Sequence, residues 1–384
     1  MGVHERLGKS AENLGKKLLL FFARFFVQPS PMSAFDGGEC RRILVVRQDN
    51  RLGNLILIEP LLRALRQHFP QARLTLMVGE AFADLYVPGV LIDEVIVFPQ
   101  FKLAKNPLLL FEWLRGLRTH QWDLAIDSAH PRTISVTNLL LVAASRARWR
   151  LGFARHGSER FLNLTIPAPS PHSYIEEQLL LIQPLGIAVE VSSPRLALPA
   201  FYETMARQFR QALGASDEEH LCGLWIGGRR DKCWPLDEFL KLYRTFDDET
   251  PRRFSPVLLS GPAETVRIGS CFRHHRFSGP IWELGACLKT LDWFLSADSG
   301  PRHFAVALGI PSIGLFRGGA QAEYGHADSR NHFDFSIDHE QDLFSKLISA
   351  ADMIWNETMR SNSTPGSVPE IFDGRMVAGN SLSQ

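Results

Sequence analysis

The sequence predicts an α/β protein built from two doubly wound units. Three observations predict it. At 384 residues the chain is too long for one ordinary core and suits two domains of ~150–200 residues each. Short apolar runs alternate with amphipathic helical stretches, the pattern of a mainly parallel sheet covered on both faces. The alternation occurs twice, with a break near 190–198 that follows a Pro- and Ser-rich approach.

In the first unit, Arg42–Val46, Leu74–Val78, Val95–Phe98 and Leu124–Ile126 read as strands. A helix is expected over Leu55–His68, closed by Pro70, with others near 108–118 and 133–144. Residues 163–172 and 192–200 are rich in Pro and Ser, with a helix, 173–185, between them. The second unit carries strand signals at Leu221–Ile226, Val257–Ser260, Trp293–Ala297 and Ser312–Phe316. Its helices are expected at 201–213, 236–246, 281–288, 302–308 and 339–356. The resulting division is 1–40 (amphipathic segment and linker), 41–195, 196–358, and a tail, 359–384, whose composition predicts disorder.

Composition excludes several classes. The chain is 45% hydrophobic and 22% charged, ordinary for a globular protein. A net charge of +1 supplies no global field for nucleic acid, and no nucleic-acid partner is expected. The five cysteines are Cys40, Cys222, Cys233, Cys271 and Cys287. An odd count without CxxC spacing argues against a disulfide framework or a zinc site and suits a reducing cytoplasm.

Residues 14–28 read LGKKLLLFFARFFVQ. Leu14, Leu18, Phe21, Phe22 and Phe25 share one helical face, with Lys17, Arg24 and Gln28 opposite. The longest apolar run, Leu18–Ala23, is six residues, far short of the ~20 that span a bilayer. A basic amphipathic helix of this kind suits a membrane surface. Packing on its own protein is a second reading. A signal peptide is a third, although Arg24 interrupts the run and no small-residue cleavage site follows.

Three segments carry chemistry. Segment 43–60, ILVVRQDNRLGNLILIEP, is a strand, a tight loop and a helix with Gly53 near its start. It lacks GxGxxG, so no dinucleotide cofactor is expected; Asp49 and Asn54 are its polar candidates. Segment 223–239, GLWIGGRRDKCWPLDEF, runs from a strand into a Gly-Gly turn at Gly228, then a basic cluster. Exposed backbone N–H groups there, with Arg229 or Lys232, suit an anion, and a solvated turn is the simpler alternative. Segment 292–316, DWFLSADSGPRHFAVALGIPSIGLF, puts Asp298, Ser299 and Gly300 between a strand's carboxyl end and a helix N-terminus. That is the usual ligand position in open α/β sheets, and the helix start favours a phosphate. Asp298 is suited to sugar hydroxyls or to an ordinary N-cap, and His303 to the site or to packing.

Together these segments resemble glycosyltransferase family 9, the ADP-heptose:lipopolysaccharide heptosyltransferases. The likeness covers about residues 41–355. ILVVRQDNRLGNLILIEPLLRAL is similar to the family's opening. Lys232-Cys233-Trp234-Pro235 matches its Lys-x-Trp-Pro, and Asp298-Ser299-Gly300-Pro301-Arg302-His303 through Gly309-Ile310-Pro311 its Asp-Thr-Gly-x-x-His block. The resemblance implies a GT-B fold, two Rossmann-like domains facing across a cleft, with the acceptor on the N-terminal domain and the nucleotide-sugar on the C-terminal one. It implies inversion at the anomeric carbon. Lys232 and the Ser299–Gly300 backbone would hold donor phosphate, Asp298 sugar hydroxyls, and Glu264, in SGPAET, the ribose.

Two departures stand out. The family's proposed general base, the Asp of Gly-Asp, aligns with Asn54, and an amide takes no proton at neutral pH. The loop is one residue longer, which makes Asp49 the substitute carboxylate. Arg317-Gly318-Gly319-Ala320 replaces a Gly-Pro-Thr type turn, which bears on donor identity.

The chemistry expected is a single displacement by an acceptor hydroxyl at sugar C1, with a nucleoside diphosphate leaving. Leaving-group charge needs a metal or fixed cations and dipoles. The chain contains no Asp-x-Asp, so no metal or other cofactor is expected, and Lys232, Arg229 and the helix start after Ser299 are the substitutes. The expected acceptor is a lipid-linked glycan such as lipopolysaccharide core, met at the cytoplasmic face of the inner membrane. Arg146, Arg148 and Arg150 are candidates for its phosphates, or form a solvated loop. Two other classes compete: a nucleotide-sugar epimerase or hydrolase on the same fold, and a non-catalytic nucleotide-sugar-binding homologue that has lost its base.

Overall fold

A computed structural model describes residues 35–36, 40–155, 157–170, 173–188, 190–216, 218–228, 232–249, 254–262, 264, 269, 272–326, 331–338 and 342–363. The amphipathic segment 14–28 and Arg229 lie outside these residues.

The N-terminal unit is a six-stranded sheet in the order β3-β2-β1-β4-β5-β6. Its strands are β1 (Arg42–Arg47), β2 (Arg73–Gly79), β3 (Glu94–Phe98), β4 (Leu124–Asp127), β5 (Trp149–Ala154) and β6 (Leu164–Pro167). The C-terminal unit repeats the plan as β12-β11-β10-β7-β8-β9. Its strands are β7 (Leu221–Trp225), β8 (Ser255–Ser260), β9 (His274–Arg276), β10 (Trp293–Ala297), β11 (Ser312–Phe316) and β12 (His332–Ser336). Every pairing is parallel. Each order is the doubly wound 3-2-1-4-5-6 arrangement, which reverses at its first strand and opens a ligand crevice at the strands' carboxyl ends.

Central strands read as continuous apolar runs because helices cover both faces. In β1, five of six residues are buried, and in β10 all five. The expected helix over Leu55–His68 is instead two, α1 (Leu52–Leu57) and α2 (Glu59–His68). Pro60 sits at the second helix's start, where its missing N–H and ring break the ladder through Ile58. Further helices are α3 (Gln100–Lys105), α4 (Pro107–Thr119), α5 (Val136–Ala144), α6 (Tyr174–Leu180) and α7 (Ala200–Ala212). They continue with α8 (Leu236–Glu249), α9 (Ile281–Leu288), α10 (Gly300–Ala307), α11 (Ala320–Tyr324) and α12 (Leu343–Ser363). The last runs five residues past the expected boundary at 358. No described helix is long and apolar enough to cross a membrane.

One apolar core runs through both units. Leu52, Leu85 and Tyr86 join Trp282 and Phe304 in a single buried cluster. Two glycines sit in this contact. A Cβ on Gly300 would lie 2.9 Å from the Leu52 Cβ and 3.2 Å from the Gly53 nitrogen. A Cβ on Gly53 would lie 2.8 Å from the His303 ring. The starts of α1 and α10 therefore meet backbone to backbone. Trp282 adds a hydrogen bond from Nε1 to the Asp84 carbonyl at 2.8 Å. The linker is pinned from α2: Glu59 accepts the Arg195 N–H at 2.9 Å, and Arg63 donates to Ser192 Oγ at 2.9 Å.

This contact makes a specific prediction. Gly300→Ala forces a methyl into the α1–α10 contact and should cost ~1–3 kcal/mol of stability in denaturant titration. Gly116→Ala, in exposed α4 with nothing within 4 Å of the added carbon, should instead stabilise by ~0.5–1 kcal/mol.

Candidate active site

On the N-terminal side, β1 ends at Arg47 and delivers the loop that holds Asp49. Arg47 is buried, pairs with Asp49 Oδ2 at 2.8 Å and donates to the Ser128 carbonyl. Asn54, on α1, donates its amide N–H to the same Asp49 oxygen at 2.9 Å. The Arg51 N–H reaches Asp49 Oδ1 at 3.1 Å. The Asp49 carboxylate is thus oriented from three directions while its side chain stays 34% exposed. Asn54 and Asp49, read from the sequence as rivals for one role, are hydrogen-bonded partners: the amide positions the carboxylate. Gly79 closes on Asn50, where a Cβ would sit 2.4 Å from Oδ1, so the loop is packed against the end of β2.

On the C-terminal side, β10 delivers Asp298 to the start of α10. Asp298 is largely buried and forms an ion pair with Lys232. The Lys232 ammonium also lies 5.3 Å from the Tyr324 ring centre. Ser299 occupies the N-cap with its hydroxyl turned to Ser296 Oγ at 2.6 Å, and no side chain caps the helix. The first N–H groups of α10 are left without a side-chain cap. The Gly228 N–H donates to Glu264 Oε1 at 3.1 Å. Glu264 Oε2 is buried and has no hydrogen-bond partner among the described residues.

A buried polar layer supports this turn. Arg302, fully buried, pairs with Asp334, which also accepts the His326 N–H at 2.7 Å. His303 shares a 2.9 Å hydrogen bond with His326, and its Nε2 lies 4.0 Å from Asp298 Oδ1. His303 is 3% exposed and its ring faces Gly53. Burial first, then Arg302 and Lys232, push its pKa down to about 3. A neutral, enclosed imidazole of this kind packs the domain contact.

A cross-domain cluster had no sequence signal. Arg132, after β4, pairs with Glu177 of α6 and, at 2.8 Å, with Glu323 of α11. His130 Nε2 lies 2.8 Å from the same Glu323 oxygen. Tyr174 and Tyr324 stack across the same boundary, centroids 5.8 Å apart. His130, Glu177 and Glu323 offer atoms close enough to share a cation, but Arg132 already supplies the positive charge to both carboxylates. Two of the arginines between 146 and 150 are engaged elsewhere. Arg148 pairs with Asp36 at 2.6 Å and Arg150 donates to the Phe161 carbonyl at 2.8 Å. They flank the start of β5, the sheet end opposite the Asp49 loop.

Two Rossmann-like units thus face each other, one presenting an oriented carboxylate, the other a lysine at an uncapped helix start. Residues 110–342 match glycosyltransferase family 9 (heptosyltransferase). The chain belongs to glycosyltransferase family 9. It is a glycosyltransferase of the GT-B fold. It is 25% identical over 286 residues to lipopolysaccharide heptosyltransferase 3 of Escherichia coli K12, covering 69% of this chain and 79% of that protein. Two solved structures share the fold. E. coli ADP-heptose lps heptosyltransferase II superposes with a TM-score of 0.68 at 15% identity, covering 83% of this chain and 99% of that one. E. coli heptosyltransferase WaaC with ADP does so with 0.61 at 18%, covering 81% and 99%. The family match contains Lys232, Glu264 and Asp298–His303. The Asp49 loop precedes it.

The buried histidines set a pH dependence. Burial, then Arg302, pushes His332 down to about 3 and His326 well below 6.5. An unfolded imidazole protonates near ~6.5, so the unfolded state binds more protons below that pH, and stability falls as pH drops from about 6.5 towards 3. Glu59 opposes this: burial raises its carboxyl to about 7, so protonation between 7 and its unfolded value favours the folded state. Three imidazoles outweigh one carboxyl. The melting temperature should fall between pH 6.5 and 4.5, with a shallower slope in His332→Asn, at ~2–4 °C per kcal/mol lost.

Proposed function

We propose that this glycosyltransferase moves a heptose or similar sugar from an ADP-heptose-like donor to a lipopolysaccharide core acceptor, inverting the anomeric centre without a metal. The observation that carries the reading is the pairing across the cleft. Asp49, oriented by Asn54 and Arg47, faces the domain that holds Lys232, Asp298 and the α10 start. The names of its relatives, a lipopolysaccharide heptosyltransferase and an ADP-heptose lps heptosyltransferase, agree with it.

In the proposed step the acceptor hydroxyl attacks sugar C1 as Asp49 takes its proton, and the nucleoside diphosphate leaves. The bond to the leaving oxygen breaks opposite the forming bond, which inverts the centre. Lys232 exchanges Asp298 for donor phosphate, and the Ser299–Gly300 backbone offers N–H groups at a helix start. Released from Lys232, Asp298 accepts from sugar hydroxyls. Gly228 belongs to the turn under the phosphates, and the unpartnered Glu264 oxygen is suited to a ribose hydroxyl. Fixed cations and dipoles then supply the charge stabilisation a metal would otherwise give. The enzyme works in the cytoplasm, peripheral to the inner face of the inner membrane, with residues 14–28 on the bilayer.

The test is steady-state transfer from ADP-heptose to a heptose-deficient core. Asp49→Ala and Asp49→Asn should each lower kcat by ~10²–10⁴-fold with nucleotide affinity unchanged, and a chelator should leave wild-type turnover intact. Wild-type turnover in both variants would remove Asp49 from catalysis.

A further inference from the structure

The edge of the N-terminal domain beside the cleft carries a surface that sugar transfer does not use. β3 is the edge strand, two positions from β1. Adjacent strands lie ~4.8 Å apart, so β3 and β1 end about 10 Å from one another, on the same side because all pairings are parallel. α3 begins just past that end of β3, and α4 follows after Asn106, whose side chain caps it. The inner face of this helical pair is committed: Leu103 and Leu117 are buried, and Trp113 packs on Phe98 at 5.3 Å. The outer face is not. Phe101, Leu108 and Phe111 are 69%, 77% and 64% exposed. Leu108, Phe111 and Arg115 recur at i, i+3 and i+7, one stripe of α4.

A single exposed apolar residue is ordinary, but four large ones, Leu109 at 38% with Phe101, Leu108 and Phe111, fall within eleven residues and mark a contact surface. Its charge selects the partner. Residues 100–119 hold Lys102, Lys105, Arg115 and Arg118 against one carboxylate, Glu112. Glu80 approaches Lys102 at 3.6 Å. A second copy of the same face would set cations against cations. Exposed apolar side chains on a stretch with an excess of cations suit the boundary between acyl chains and anionic headgroups.

We propose that the α3–α4 tip docks on an anionic bilayer surface, Phe101, Leu108 and Phe111 entering the headgroup boundary and Lys102 and Lys105 meeting phosphates. Docking here sets the acceptor side of the cleft, with Asp49, against the leaflet that carries the acceptor lipid. The inference rests on the membrane-borne acceptor of the proposed function and adds a contact separate from residues 14–28.

The test is co-sedimentation of the full chain with vesicles of phosphatidylethanolamine and phosphatidylglycerol, and with phosphatidylcholine alone. Wild type should prefer the anionic vesicles, less so at high salt. F101S/L108S/F111S should lose about tenfold or more in vesicle affinity, and K102E/K105E should lose the anionic preference. V87S/V90S, exposed residues outside the patch, should bind as wild type. Retained stabilisation of the triple variant by ADP shows that its fold and donor site are intact, so loss of docking is separable from failure of the donor reading. Unchanged vesicle affinity in the triple variant overturns the proposal. So does a wild-type dimer, formed without vesicles, that the triple variant abolishes.

Discussion

The close approach of Gly53 to Gly300 is the constraint on which the rest of the site depends. Each glycine opens a helix that follows the carboxyl end of its sheet's first or fourth strand. With no side chain between them, α1 and α10 start within contact of each other. That brings the Asp49 loop and the Asp298 turn to the two walls of one cleft. Larger residues would hold the walls apart, and neither half alone contains both the oriented Asp49 carboxylate and the Lys232–Asp298 pair at an uncapped helix start.

Electrostatics then divides the cleft into a supporting layer and a working layer. The supporting layer is buried: Arg302 with Asp334, and Arg155 with Asp127. Removing one member of such a pair strands the other and costs ~3–5 kcal/mol. The working layer is more open. Lys232 and Asp298 neutralise each other at the place where a diphosphate would bring its own charge. In the proposed exchange a phosphate would replace that carboxylate and keep the lysine paired, while Asp298 would turn to the sugar hydroxyls. Arg132 and Glu323 form a further ion pair, across the two domains, at 2.8 Å.

Much of this was legible in the sequence, for a physical reason. Central parallel strands are buried on both faces, so β1, β2, β4, β7, β10 and β11 announce themselves as apolar runs. β5 (WRLGFA) follows Arg146 and Arg148 directly and carries Arg150 itself, and the edge strands β6, β9 and β12 are short or polar, so no apolar run marks them. The helix split at Ile58 turned on Pro60, which the pattern of apolar positions conceals. The juxtaposition of Lys232 with the Asp298–Gly300 turn was readable because both lie in compact motifs. The link from Asn54 to Asp49 was not, because spacing alone does not say which way a loop folds back. The Arg132–Glu323 pair, separated by 191 residues, has no local signal at all.

The central claim is that Lys232 and the α10 start form a nucleoside diphosphate site that needs no metal. Thermal-shift titration with ADP, GDP, UDP and CDP in chelator tests it most directly, for wild type and Lys232→Ala. A ligand that binds only the folded state at ~100 times its Kd adds ~2.7 kcal/mol. The account predicts that ADP raises the melting temperature of wild type and loses most of that effect in Lys232→Ala. No shift with any diphosphate, or equal shifts in both proteins, would contradict it.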